Sequence, residues 1–230
     1  MARKGWRMNI AIDGPAGAGK STVAQLVAKK LSFTYIDTGA MYRALTWMAL
    51  VQQVSPDDEQ SLLNLLESTT ITLKQQPEGQ QVFVGNQEVT TEIRQPDVTR
   101  LVSLVAKHPR IRQHMVSMQR ELAAIENVVM DGRDIGTQVL PDSEVKIFLT
   151  ASIEERAMRR FKEWLDKGYQ PNLEELKQEI ALRDKLDSER ESSPLKCADD
   201  AVVVDSSGYT IDEVVDKIIE IYRMKIKSHP

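Results

Sequence analysis

The sequence predicts an α/β protein with a parallel sheet that helices cover on both faces. The first observation is a set of short apolar runs of strand length, most of them rich in β-branched residues. These runs span residues 9–12, 33–36, 127–130, 145–149 and 201–204. Helical patterns lie between them, such as those that follow Ser152 and Thr210. Strands that are apolar along their length and alternate with helices are typical of a sheet buried on both faces.

The second observation is a polar group at or next to the end of most of these runs. Asp13, Asp37, Asp131 and Thr150 hold these positions. In an open parallel sheet the ligand crevice lies at the carboxyl ends of the strands. We therefore expect these groups to gather at one edge, and we expect the chemistry there.

Residues 54–97 interrupt the alternation. Residues 55–58 resemble a capped helix start, and leucines follow them at helical spacing. Beyond that helix, the apolar runs 71–73 and 81–84 flank the turn signal Pro77-Glu78-Gly79. The pattern predicts an antiparallel subdomain inserted into the α/β core.

Length and composition favour one compact enzyme. The chain has 230 residues, a net charge of −4 and one cysteine, Cys197. The acidic balance disfavours bulk binding of nucleic acid, and a single cysteine excludes an internal disulfide framework. Residues 1–7 are basic but no apolar segment of signal-peptide length follows, and no later run is long enough to span a membrane. We expect a cytoplasmic monomer that binds neither membranes nor nucleic acid.

The strongest local motif is a phosphate-binding loop (P-loop). The segment Gly14-Pro15-Ala16-Gly17-Ala18-Gly19-Lys20-Ser21 fits the pattern G-x-x-x-x-G-K-[ST], between a predicted strand and a predicted helix, and Thr22 follows it directly. Glycines let successive backbone N–H groups turn inward around a phosphate. The helix N-terminus favours the same negative charge. This segment and Thr22 are expected to bind ATP.

Two side chains extend the P-loop prediction towards chemistry. Lys20 is expected to reach the β and γ phosphates as a catalytic residue, and the Ser21 hydroxyl can ligate Mg²⁺. Asp131 is placed to hold Mg²⁺ through a bound water. A GTP-dependent switch also uses such a loop, but it needs an Asn-Lys-x-Asp element, which the sequence lacks.

The second strand leads into a candidate site for the phosphoryl acceptor. Thr38 is placed to cap the helix that follows, and Arg43 lies one turn further on. The guanidinium fork of an arginine suits a monophosphate, because it offers two parallel charge-assisted hydrogen bonds. After the third strand come Arg133, a candidate for a phosphate, and Asp134, a candidate for the amine of a base.

A helical region rich in arginine spans residues 156–190. Helical spacing brings Arg156 close to Arg159 and Arg160. The same spacing places Arg183, Asp187 and Arg190 near one face. Phosphoryl transfer needs positioning and neutralisation of developing negative charge. The first three arginines are therefore predicted to be catalytic.

With these residues assembled, the sequence resembles the bacterial cytidylate kinase family, from Ile10 to the final helix. The resemblance is carried by residues 12–21, by residues 37–43, by residues 131–137, and by Arg183-Asp184 followed by Asp187, Arg190 and Pro194-Leu195. It implies the P-loop fold of nucleoside monophosphate kinases: a five-stranded parallel sheet flanked by helices, an inserted α+β substrate subdomain and a short helical lid. The implied parts are a core (1–38, 127–155 and 191–230), a substrate subdomain (39–126) and a lid with its adjoining helix (156–190).

The resemblance also implies an activity and roles for further residues. The activity is transfer of the γ-phosphoryl group of ATP to CMP or dCMP, with Mg²⁺ as cofactor. Thr38, Arg43, Arg133 and Arg190 would surround the acceptor phosphate. Ser103, Arg112 and Asp134 would read cytosine, while Arg183 and Asp187 would hold the pentose.

Two alternatives stay open at this point. One is a kinase for adenylate, thymidylate or uridylate, which Asp134 beside Arg133 and the β insert disfavour. The other is a nucleotide-dependent switch or binding module that hydrolyses slowly. An assay of ADP formation with and without CMP separates a switch from a kinase, because a switch shows no dependence on an acceptor.

Overall fold

The computed structural model describes residues 8–77 and 79–227, and these contain a parallel sheet of five strands. The strands of the chain are β1 (Asn9–Asp13), β2 (Thr34–Asp37), β3 (Ile71–Gln76), β4 (Gly79–Val84), β5 (Gln87–Glu88), β6 (Val128–Asp131), β7 (Val145–Thr150) and β8 (Val202–Asp205). The parallel sheet has the order β2-β6-β1-β7-β8, with all its pairs parallel. Every predicted strand of the α/β core is present, and the fold-class prediction is confirmed.

The helices cover this sheet and the insert. They are α1 (Lys20–Leu31), α2 (Thr38–Val51), α3 (Glu59–Ser68), α4 (Pro96–Ala106), α5 (Pro109–Ala123), α6 (Ile153–Asp166), α7 (Leu173–Glu189) and α8 (Ile211–Lys227). Two predicted starts are present, since Ser152 Oγ accepts a hydrogen bond from the backbone of Glu155, and Thr210 and Glu213 form a capping box. Within the described ranges, no helix is both long and apolar enough to cross a membrane.

Two local expectations were wrong. The N-cap of α2 is Asp37, whose carboxylate accepts a hydrogen bond from the backbone N of Ala40; Thr38 instead donates from its hydroxyl to the carbonyl of Asp131. The chain also leaves the helix before Arg190, which has an extended backbone as the C-cap of α7. Asp37 takes the cap because a carboxylate just before the first turn reaches the free N–H groups.

The predicted insert is an antiparallel sheet with the order β3-β4-β5. Asp58 caps α3 just before it, as the capped start at residues 55–58 suggested. Of the predicted turn, Glu78 lies outside the described residues, as does the basic segment 1–7. A 3-10 turn, Glu92–Arg94, connects the small sheet to α4.

Separate hydrophobic clusters lie beneath the sheet, the insert and the α6–α7 hairpin. The largest side chains of the sheet cluster include Ile10, Ile12 and Ile147. Another cluster draws its buried members from residues 40–115 alone, and a small one joins Ala157 to Leu176 and Ile180. The insert and hairpin clusters are distinct from the sheet cluster, and a further cluster joins Ile36 and Met130 of the sheet to Ala123 of α5.

Candidate active site

One large cavity, of about 530 Å³, opens at the carboxyl ends of β1, β2 and β6. It is lined by most of the residues selected from the sequence, namely Ala16, Gly17, Ala18, Gly19, Lys20, Ser21, Thr22, Thr38, Arg43, Ser103, Arg112, Asp131, Arg133, Asp134, Arg159, Arg160, Arg183, Asp187 and Arg190. Gly14, Pro15 and Arg156 are not on this lining. The edge predicted for the chemistry is thus the edge where these side chains converge.

The P-loop joins β1 to α1 and forms one end of the cavity. A Cβ atom at Gly14 would lie 1.9 Å from the carbonyl oxygen of Leu149, so only glycine fits between β1 and β7. Lys20 is buried, and its Nζ donates to the carbonyl of Pro15 at 2.7 Å. Burial and then the positive charge of Arg133 lower the pKa of Lys20.

Asp131 connects the P-loop helix to β2. One of its oxygens accepts a hydrogen bond from Ser21 Oγ at 3.0 Å, and the other accepts from the hydroxyl of Tyr35 at 2.8 Å. Burial, followed by the negative charge of Asp37, raises the pKa of Asp131 to about 6. Sequence reasoning missed Tyr35, because its partner lies 96 positions away along the chain.

Asp13 organises the loop after β6. Its carboxylate accepts from the backbone N–H groups of Ile135 and Gly136, at 2.8 and 2.7 Å. These residues open a π-helical turn, Ile135–Val139, and such turns occur often at functional sites. Burial raises the pKa of Asp13 to about 6, although both hydrogen bonds oppose the shift.

Asp37 holds two arginines at the acceptor end. Its Oδ2 accepts from Arg43 at 2.7 Å and from Arg94 at 3.3 Å. The pKa of Asp37 is lowered: its burial alone would raise the value, but the charges of Arg43 and Arg94 outweigh it. Arg94 lines the cavity and was not selected from the sequence, where it follows Ile93 in the insert without a recognisable motif.

Asp187 on α7 contacts both the loop after β6 and helix α4. Its Oδ2 accepts from Arg133 Nε at 2.9 Å, and its Oδ1 accepts from Ser103 Oγ at 3.2 Å. Arg183 Nε lies 4.0 Å from the same carboxylate, beyond hydrogen-bond distance. Burial and then the charge of Arg133 lower the pKa of Arg183 to about 9, so the arginines stand close enough to repel.

Arg112 and Asp134 form a buried ion pair beneath Tyr42. The Nη2 atom of Arg112 donates to Asp134 Oδ2, and Nη1 donates to the carbonyl of Ala106. The guanidinium carbon lies 5.4 Å from the centre of the Tyr42 ring. The pair thus sits on an aromatic face inside the cavity, where a flat ligand could meet both a donor and an acceptor.

The three arginines of α6 differ in their surroundings. Arg156 is 4% exposed and donates to the carbonyls of Ala151 and Ala16, while its Nη2 lies 2.7 Å from Asp184 Oδ2. Arg159 is half-buried on the cavity wall and donates to Ala18 and to Ser206. Arg160 also faces the cavity. Arg156 therefore connects α6 to the P-loop and to α7. Arg159 and Arg160 instead line the cavity.

Several donors of the cavity wall have no hydrogen-bond partner in the described part of the chain. They are Tyr42 OH, Arg43 Nε, Arg112 Nε, Arg183 Nε and Arg190 Nη2. An unsatisfied buried donor costs about 1 to 3 kcal/mol, more where it is charged. A ligand that carries several acceptor atoms along its length, such as a nucleotide, offers partners for donors of this kind.

The comparisons with known proteins agree with this arrangement. Residues 10–224 match the cytidylate kinase family. The chain belongs to the cytidylate kinase family. The cytidylate kinase of Geobacillus sp. (strain WCH70) is 59% identical over 219 residues, which cover 95% of this chain and 98% of that protein. The cytidylate kinase of Bacillus cereus (strain B4264) is 59% identical over 215 residues, or 94% and 96% of the two chains.

The cytidylate kinase prediction made from the sequence is thereby confirmed. Among solved structures, an uncharacterized protein from Eubacterium ventriosum ATCC 27560 is similar with a TM-score of 0.50 and 14% identity. The match covers 94% of this chain and 98% of that one. At this identity the likeness shows the fold alone.

Proposed function

We propose that this cytidylate kinase transfers the γ-phosphoryl group of ATP to CMP or dCMP through the cavity at the sheet edge. An oxygen of the acceptor phosphate forms a bond to the γ-phosphorus, and the bond to the β,γ-bridging oxygen breaks, which yields a diphosphate and ADP. The main support for this proposal is one cavity that has a P-loop at one end and, at the other, arginine donors without a hydrogen-bond partner among the described residues.

The donor half uses Gly14 to Thr22 for the phosphates of ATP. Lys20 supplies a positive charge for the transferring oxygens, and its burial strengthens that interaction. Ser206, Tyr209, Thr210 and Ile211 line the cavity beyond Thr22 and offer a partly apolar surface for the adenosine. The sequence pattern indicates Thr210 only as a helix start, and none of these four residues was selected for the site.

Mg²⁺ fits the donor half. Ser21 Oγ and Asp131 Oδ2 lie 3.0 Å apart beside the P-loop, which is a hard-oxygen donor set. Among the described residues no group of three or more acidic, histidine or cysteine side chains could hold a metal alone. This suits Mg²⁺, which takes its remaining ligands from water and substrate phosphates. When bound, the ion would neutralise charge on the β and γ phosphates.

The acceptor half follows the roles implied by the family. Thr38, Arg43, Arg133 and Arg190 are proposed to hold the acceptor phosphate. Ser103, Arg112 and Asp134 are proposed to read cytosine, and Arg183 with Asp187 to hold the pentose. The ion pair of Arg112 with Asp134 supports the base site, because it presents a donor and an acceptor together in a buried place.

The lid arginines divide into two roles. Arg159 and Arg160 face the cavity and are proposed as catalytic residues that stabilise the charge of the transition state. Arg156 is buried, does not line the cavity and donates to the carbonyl of Ala16 in the P-loop, so it is proposed as a positioning residue for that loop. This changes its catalytic assignment from the sequence.

We propose the three-part division predicted from the sequence, with closure of the substrate subdomain and lid over the nucleotides. The separate apolar clusters of the sheet, the insert and the hairpin support it. We also propose a cytoplasmic monomer. One chain supplies both ends of the cavity, and a single cysteine suits a reducing compartment.

A panel of nucleoside monophosphates tests the proposal. Each of CMP, dCMP, UMP, AMP and dTMP is offered with ATP and Mg²⁺, and ADP formation is followed. CMP and dCMP should give the highest kcat/KM. Lys20→Met serves as control, since it should fold like the parent and lose about a hundredfold or more in kcat. ADP formation that does not depend on an acceptor would contradict the proposal.

A further inference from the structure

The inserted small sheet brings one arginine into the acceptor end of the cavity. Arg94 ends the 3-10 turn that follows β5, and it lines the cavity together with Thr38, Gly39 and Arg43. Its side chain is 45% exposed, whereas that of Arg43 is 16% exposed. Arg94 therefore stands at the mouth of the same site that holds Arg43.

The carboxylate of Asp37 forms ion pairs with both Arg43 and Arg94. Asp37 is buried, and its Oδ2 lies 2.7 Å from Arg43 Nη2 and 3.3 Å from Arg94 Nη2. Its Oδ1 is fixed by the backbone N of Ala40 at the start of α2. A single negative charge facing two guanidinium groups leaves a net positive charge, which an anion in the cavity would neutralise.

The insert is fastened to the backbone of this same aspartate. The side-chain amide of Gln80 on β4 accepts a hydrogen bond from the backbone N of Asp37 at 3.1 Å, and it donates to the carbonyl of Tyr35 at 2.6 Å. Gln75 on β3 donates to the same carbonyl. The side-chain amide of Gln80 thus hydrogen-bonds to the edge of β2 as the backbone of a neighbouring strand would. This contact fixes the position of the insert, and therefore of Arg94, relative to β2.

We propose that Arg94 is a further binding residue for the phosphate of the acceptor nucleotide, carried by the insert and aimed by Asp37. The inference rests on the proposed function. A half-exposed arginine gains little from an ion pair alone, so the pair with Asp37 does not account for its placement by itself. The long contact to Asp37 engages one nitrogen of the fork and leaves donors for phosphate oxygens.

The proposal gives the insert a direct part in substrate binding. Arg94 and Arg43 both lie in the proposed substrate subdomain, where Ile93 beside Arg94 packs in the same hydrophobic cluster as residues 40–49 of α2. Because Asp37 joins the two, closure would bring both guanidinium groups to one phosphate. Gln80 and Gln75 then act as positioning residues for this pair.

The experiment compares Arg94→Ala with Arg100→Ala by equilibrium titration of CMP and of cytidine. Arg100 is a matched control: it is 52% exposed, pairs with Glu179 at 3.0 Å and does not line this cavity. Loss of a charge-assisted contact predicts that Arg94→Ala weakens CMP binding about tenfold or more. Cytidine has no phosphate, so its affinity should stay within about twofold of the parent value. Arg94→Lys should bind CMP with intermediate affinity.

Two results would overturn the inference. Unchanged CMP affinity in Arg94→Ala would mean that Arg94 is only a surface partner of Asp37. An equal loss of affinity for CMP and for cytidine would mean that Arg94 supports the structure of the site and does not contact the phosphate. Failure of the proposed function is a separate result, because the parent itself would then show no CMP-dependent formation of ADP.

Discussion

Arg133 and Asp187 meet across 54 positions of sequence, with Arg133 Nε 2.9 Å from Asp187 Oδ2. Arg133 follows β6 of the core, whereas Asp187 lies near the end of lid helix α7. The second oxygen of Asp187 accepts a hydrogen bond from Ser103 on α4, in the substrate subdomain. One carboxylate therefore connects the loop after β6, helix α4 and helix α7.

The first prediction concerns Asp187→Asn. An amide can accept from only one of Arg133 and Ser103 and would leave the arginine without its counter-charge. We expect the KM for CMP to rise about tenfold or more, with the KM for ATP within about twofold of the parent. Steady-state kinetics with each substrate varied in turn measure both values. Glu189→Gln, an exposed change on the same helix, is the control; equal rises for both substrates would contradict a role at the acceptor site.

The second prediction separates Arg156 from Arg159. Arg156→Ala removes a buried guanidinium from two carbonyls and from Asp184, so the free energy of unfolding should fall by about 3 to 5 kcal/mol. Arg159→Ala removes a half-exposed side chain, so kcat should fall about a hundredfold with little change in the unfolding midpoint. Urea unfolding and turnover per folded molecule test both. If Arg159→Ala lowered the stability and Arg156→Ala lowered only kcat, Arg159 would be the positioning residue and Arg156 the catalytic one.

Much of this site could be predicted because its signals are local. The P-loop needs a strand, a glycine-rich turn and a helix in succession, and residues 9–31 contain all three. The apolar runs predict the sheet for the same reason. Arg190 shows the limit of local periodicity. An i, i+7 spacing from Arg183 predicts a position on the helix, but the helix ends at Glu189, and Arg190 lines the cavity as the C-cap with its Nε donating to the carbonyl of Ser193.

The residues that were missed depend on distant partners. In the sequence, Tyr35 is an ordinary aromatic residue of a strand. The pairing of β2 with β6 brings its hydroxyl to Asp131, to which it donates a hydrogen bond. In the sequence, Arg94 cannot be distinguished from other exposed arginines. Only the fold brings it to Asp37, which lies 57 positions away. No spacing rule connects such positions, because the pairing of β2 with β6 and the docking of the insert decide them.

The third prediction concerns pH and Asp13. Its pKa is about 6 in the folded protein and 3.8 as the unperturbed value, so between these values the folded chain keeps a proton that the unfolded chain releases. The contribution of this group to stability is present below pH 4 and is lost as the pH rises through about 6, by about 3 kcal/mol in total.

The test measures the free energy of unfolding of the parent and of Asp13→Asn from pH 4 to pH 7. Groups common to both proteins cancel in the difference, which isolates the titration of Asp13. Asp13→Asn should be more destabilising at pH 4 than at pH 6 by about 2 kcal/mol, because the rest of the total change titrates below pH 4 and above pH 6. A difference that does not vary with pH would show that the carboxyl group titrates normally.

The last prediction concerns the choice of base. Cytosine presents an amine where uracil presents a carbonyl, so an ionised carboxylate favours cytosine and repels uracil. Asp134 is buried in the cavity beside Arg112, and we expect its carboxylate to accept from that amine. An amide at this position can turn either an oxygen or a nitrogen towards the base. In Asp134→Asn, kcat/KM for CMP should therefore fall about ten- to a hundredfold, and the ratio of CMP to UMP should approach unity.

Asp142→Asn, an exposed change beyond the π-helical turn, is the matched control and should keep both values of kcat/KM. The measurement is kcat/KM for CMP and for UMP in each variant. An equal loss for both substrates, with the ratio preserved, would contradict a direct contact with the base. Asp134 would then serve to hold the guanidinium of Arg112 against Tyr42, and other residues would read cytosine.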